Sequence, residues 1–107
     1  MKIQRANSTA YATNLVVKAS PGTLLSLTGY NSGGAVWIQL HDATALPADT
    51  AVPVLTQKVA ATASFNLLLP IGGIPFKKGI VAANSGSTVD TLATGSAIIY
   101  FTATFTN

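Results

Sequence analysis

Apolar residues along this chain come in runs of four to nine, each stopped by Gly, Pro, Asn or Asp, and Thr and Val are frequent within the runs. A helix needs an unbroken window of roughly 10 to 12 residues with apolar positions recurring every 3.6. Pro21, Gly22, Gly29, Gly33, Gly34, Pro47, Pro53, Pro70, Gly72, Gly73, Pro75, Gly79, Gly86 and Gly95 interrupt nearly every such window. The pattern therefore predicts an all-β fold, with strands over 13–19, 23–30, 35–42, 54–60, 64–69, 79–84 and 97–106. Seven to eight strands of this length suit a single antiparallel β-sandwich of jelly-roll or Greek-key type. It would occupy residues 13–107, after a polar, basic N-terminal arm over 1–12.

Strand alternation assigns faces. Over 35–42 it puts Val36, Ile38 and Leu40 on the core face and Trp37, Gln39 and His41 on the other. In the last strand both faces carry large apolar groups at first, Ile98 and Tyr100 against Ile99 and Phe101, so cover on both sides is expected from a central position or a neighbouring subunit. Asn31-Ser32-Gly33-Gly34 predicts a tight hairpin, with glycine supplying positive φ. Residues 43–53, with Pro47 and Pro53, predict a surface connection, the long crossover of a Greek key. The 70–78 segment (PIGGIPFKK) reads as a loop whose Ile71, Ile74 and Phe76 need cover, and the polar 85–96 segment, containing Asp90, as the most mobile one. No internal repeat or linker divides the chain.

Composition narrows the function. The 107 residues form one folding unit, 49% hydrophobic with a mean hydropathy of +0.46, and only 8% are charged, against roughly 25% in ordinary soluble domains. That balance excludes intrinsic disorder. The absence of Cys excludes disulfides and thiolate chemistry. Six cations, Lys2, Arg5, Lys18, Lys58, Lys77 and Lys78, against Asp42, Asp49 and Asp90 give a net charge of +3. A nucleic-acid footprint shows a dense basic stripe with aromatics able to stack, whereas these cations are spread thinly in sequence, so no nucleic-acid partner is expected. Lys2 and Arg5 precede no apolar h-region, no run approaches the roughly 18 residues of a membrane helix, and no membrane partner is expected.

Candidate chemistry is sparse. His41 adjoins Asp42, but neighbouring strand residues point to opposite faces, and no serine lies in a Gly-x-Ser-x-Gly elbow. One His, three scattered Asp and no Glu or Cys make no metal cluster. Gly33-Gly34 and Gly72-Gly73 lie between strands rather than before a helix, which argues for turns over a phosphate cradle. No catalytic, cofactor or metal residue is assigned, and the chain is read as a non-enzyme. Trp37 is a possible stacking platform for a sugar, or a contact between subunits.

So few charges on so small a body leave much neutral and apolar surface, which isolated small domains handle poorly. A homo-oligomer, specifically a trimer, is expected, with the last strand or the 70–78 segment in its interface. Trp37, His41, Tyr100 and Phe101 are the candidate contacts. Lys2, Arg5, Phe76, Lys77 and Lys78 are the candidates for docking on an acidic partner.

The stretch 26–53 (SLTGYNSGGAVWIQLHDATALPADTAVP), with Ser64-Phe65-Asn66-Leu67 and 79–85 (GIVAANS), resembles short β-sandwich virion accessory proteins of tailed bacteriophages. The likeness runs from about Thr23 to the C-terminus. It rests on framework residues: a turn at Gly29-Tyr30-Asn31, the strand Trp37 to Asp42, the loop Leu46 to Asp49, and a strand beginning Gly79-Ile80-Val81. The resemblance implies a non-enzymatic virion protein on the capsid surface or the tail. It points first to a capsid decoration or cement protein bound to the major capsid protein, and alternatively to a tail or fibre module binding host glycans.

Overall fold

The computed structural model describes residues 2–86 and 91–107. Nine strands and no helix run through the described residues: β1 (Gln4–Asn7), β2 (Asn14–Lys18), β3 (Gly22–Asn31), β4 (Val36–Asp42), β5 (Leu55–Val59), β6 (Ala63–Asn66), β7 (Ile74–Phe76), β8 (Ile80–Ser85) and β9 (Ile99–Thr106). They form two antiparallel sheets. One has the order β1-β9-β3-β6, with β7 also pairing with β3, and the other has the order β2-β8-β4-β5. The chain crosses between sheets at each of its first three connections, and β8 and β9 return to lie beside β2 and β1. That is the connectivity of a jelly roll.

The seven predicted strands correspond to β2, β3, β4, β5, β6, β8 and β9, and two strands are additional. Within the segment read as an arm, β1 pairs with β9 as an edge strand and tucks Ala6 against the core. Within the segment read as a loop, Ile74 and Phe76 turn inward while Pro75 lies between them, paired with Thr23. Proline is tolerated there because β7 is an edge strand.

The core lies between the sheets, with Ile38, Leu40, Ile80 and Ala82 facing Leu24, Leu27, Phe65, Phe101 and Phe105. Leu24 and Leu27 are three residues apart, so strict alternation would send them to opposite faces. The register of β3 on β9 shifts between Leu24 and Ser26, and this bulge turns both leucines inward.

Three turn assignments change. Gly29 and Tyr30 are interior to β3, as the strand expected over 23–30 has them and unlike the turn the resemblance implies, and a Cβ on Gly29 would strike the Tyr100 carbonyl and the Phe65 ring. The 31–34 turn carries the chain from one sheet to the other and closes no hairpin. Positive φ among glycines of the described residues occurs at Gly72 and Gly73, so Gly33 and Gly34 do not supply it. The corner is organised by the buried Asn31 side chain: Nδ2 donates to the Gly34 and Ala60 carbonyls at 2.8 and 3.0 Å, and Oδ1 accepts from the Gly33 amide at 3.0 Å. The 43–53 connection joins β4 to its sheet neighbour β5, so it is no crossover. Of the 85–96 segment, residues 87–90, including Asp90, lie outside the described residues, while Leu92 is buried.

Candidate functional site

Strand direction fixes which loops share an end of the sandwich. Lys18 closes β2 just before β3 begins at Gly22, Asp42 closes β4, and Phe76 closes β7 beside Gly22. Thr106 closes β9 opposite Thr23, and Gln4 opens β1 opposite Phe105. Lys2, Lys18, Lys77 and Lys78 therefore gather at one end, with Arg5 beside it on β1. Lys58, near the other end, places its ammonium 5.9 Å from the centre of the Trp37 ring. Cations dispersed in sequence are thus segregated in space. Lys18 was not among the expected contacts, because nothing short of the strand order places it with the others.

The acid at this end, Asp42, is turned toward the backbone. Its Oδ1 accepts from the Lys78 and Gly79 amides at 2.8 and 3.3 Å, and its Oδ2 from the Lys77 amide at 3.2 Å. The Lys78 amide bond, with help from the other two amides and the Lys78 charge, holds the carboxyl below the usual carboxylate range despite some desolvation. Three successive amides closing on one carboxylate fix the 77–79 turn and so the direction in which Lys77 and Lys78 leave it. Both lysines are exposed.

The residues expected to meet an acidic partner thus separate into two groups. Lys2, Arg5, Lys77 and Lys78 share one region, whereas Phe76 is buried in the core and is not free to touch a partner. Of the expected subunit contacts, Phe101 is fully buried and stacks edge-on to Phe65, so it too is internal. His41 is 2% exposed and lies within the subunit. Trp37 is half-buried, with the Lys58 ammonium lying over its ring. Tyr100 remains on the surface at 39% exposure.

His41 and Asp42 do not pair. The Gln39 amide donates Nε2 to the Thr91 carbonyl at 3.1 Å, which directs its Oε1 toward His41 Nε2, 3.0 Å away. His41 therefore donates from Nε2. Two loops cover this outer face of β4, held together where the Thr50 amide donates to the Leu92 carbonyl and the Leu92 amide to the Ala51 carbonyl. The Thr94 amide and hydroxyl both donate to Asp49 Oδ1, keeping that carboxyl below its ordinary range. Among the described residues no three His, Asp or Glu side chains are grouped to hold a metal ion.

The outer face of the other sheet presents hydroxyls and phenols. Thr28 lies opposite Thr102, Ser26 opposite Thr104 and Tyr30 opposite Tyr100. Tyr11 packs edge-on to Tyr100 with ring centres 6.4 Å apart, so all three tyrosines of the chain share this face. Tyr11 and Tyr30 escape sequence reading because one lies between strands and the other closes an expected strand beside the 31–34 turn. Comparison of the chain with protein-family models, with curated proteins and with solved structures finds no match.

Proposed function

We propose that this protein is a non-enzymatic virion component, a capsid decoration or cement protein that docks on an acidic capsid surface as a homotrimer. The observation that carries the reading is the basic end: Lys2, Arg5, Lys18, Lys77 and Lys78 come together where Asp42 is engaged by backbone amides. Such a cluster steers approach to an acidic surface and sets orientation, and salt screens it. The resemblance to short phage virion proteins supplies the identity of that surface.

Deleting the first seven residues is a poor test, since it would remove β1 from its sheet. Charge reversal keeps the strand. Lys2→Glu, Lys77→Glu and Lys78→Glu together should abolish co-sedimentation with capsids of the encoding virus, and wild-type binding should weaken steeply as NaCl rises from about 50 to 500 mM. Binding by the triple variant at the wild-type level would remove the basic end from the mechanism. The second reading, a tail or fibre module for host glycans, draws on the tyrosine-bearing face and not on Trp37, because ring faces flanked by hydroxyls suit saccharides. Under that reading, glycan binding would survive the triple variant.

A further inference from the structure

Residues 67–73, which join β6 to β7, hold apolar side chains out into water. The segment is fastened at both ends: Leu67 is buried and its amide donates to the Leu27 carbonyl at 2.9 Å, while Gly73 leads directly into β7. Between these anchors the Gly73 amide donates to the Pro70 carbonyl at 2.9 Å, and Gly72 has a φ of 89°. This is a type II turn with Ile71 at its first corner and glycine at the position that demands positive φ. Ile71 is fully exposed and Leu68 is 87% exposed. Across the same flank of the sandwich, Gln57 of β5 reaches the Asn66 carbonyl of β6 at 3.5 Å. The lead-in to β5 exposes Val52 at 77% and Val54 at 51%.

Exposure distinguishes this flank: Ile71, Leu68 and Val52 are the three most exposed large hydrophobic side chains among the described residues. No Asp, Glu, Lys, Arg or His occurs over 50–57 or over 59–76, and Lys58 between them holds its ammonium over the Trp37 ring on the outer face of β4. Near a rotation axis each residue approaches its own equivalent on the next copy, so a charged side chain there meets its like. An apolar flank whose one cation is held aside over Trp37 is compatible with such an axis, whereas the basic end is not. Exposed apolar groups fixed by a hydrogen-bonded turn also lose little freedom when covered.

We propose that the flank formed by residues 67–73 and the β5 edge is the surface through which copies of this chain associate, with Leu68 and Ile71 as its anchors. This deepens the oligomer part of the proposed function and is independent of attachment to a capsid.

Sedimentation velocity on the full chain at micromolar concentration, in about 50 mM and 1 M NaCl, tests it. The wild type should sediment as an oligomer at both salts, since apolar burial is not screened. The Leu68→Asp, Ile71→Asp pair should sediment as the 10.9 kDa chain with an unchanged circular dichroism spectrum. Should the acidic pair fail to fold, Leu68→Ser, Ile71→Ser decides, with an association at least tenfold weaker than wild type. A monomeric wild type overturns the proposal, as does an oligomer that survives in the folded variants. Capture of a monomeric wild type by phosphatidylcholine vesicles through Leu68 and Ile71 would overturn it in favour of a membrane. An oligomer that ignores capsids leaves this surface standing and sinks the docking reading alone.

Discussion

His41 shows how little of a residue's setting follows from its type. It lies on the strand face opposite the core, where alternation usually meets solvent, yet two loops close over it and leave it 2% exposed. Burial pushes its pKa below the ordinary value near 6.5. In the unfolded chain the imidazole takes up a proton as pH falls through about 6.5, while the folded protein resists until its lower pKa is reached. Stability is therefore full above about pH 6.5 and declines below it, by at most about 1.4 kcal/mol per pH unit, until the folded-state value is passed. Asp42 and Asp49, both held low, act in the opposite sense of charge and further down: their contribution is present above about pH 4 and is lost as pH falls through their folded values. Urea midpoints at pH 7.5 and pH 5 separate the two windows. The wild type should have the lower midpoint at pH 5, and His41→Gln should lose most of that difference; an equal drop in both proteins would assign it to other groups.

At the scale of elements, the corner between β3 and β4 depends on one side chain. Asn31→Ala would remove three hydrogen bonds and leave the Gly34 and Ala60 carbonyls and the Gly33 amide without that partner, at a cost of about 2–4 kcal/mol. Denaturant unfolding would register this as a fall in midpoint at constant slope, and a loss under about 0.5 kcal/mol would mean that water replaces the amide. The alternation of Val36, Ile38 and Leu40 with Trp37, Gln39 and His41 made β4 legible, as did the Gly and Pro spacing that ruled out helix. Two of the edge strands, β1 and β7, were illegible for a physical reason. With a single pairing partner, β1 tolerates Gln, Arg and Asn, and β7 tolerates a central Pro75, so neither carries the pattern of a half-buried strand. Topology was hidden at 31–34 for another reason, since glycine and asparagine mark a change of direction without saying whether the next strand returns beside the last or crosses to the facing sheet. The basic end inherits that ambiguity, because Lys2, Lys18 and Lys77 become neighbours only through the strand order.

On the whole molecule the placing of the two surfaces matters for attachment. The apolar flank runs along the strands, while the basic end lies where several of them start or finish. A threefold axis parallel to the strands and beside that flank would leave three basic ends facing the same way, so one trimer would present three attachment points to one surface. A single cluster of exposed cations binds weakly at physiological salt, because the Debye length there is about 8 Å. Linked clusters bind together, and avidity of this kind typically adds about 10²- to 10⁴-fold. The Leu68→Asp, Ile71→Asp variant keeps every cation of the basic end, so it should still bind capsids, but with an apparent affinity lower by about that factor. Fusing the variant to a parallel trimeric coiled coil should restore most of the loss without restoring the flank. A monomeric variant that binds as tightly as wild type would mean that each chain is held separately and that the common direction of the basic ends has no part in attachment.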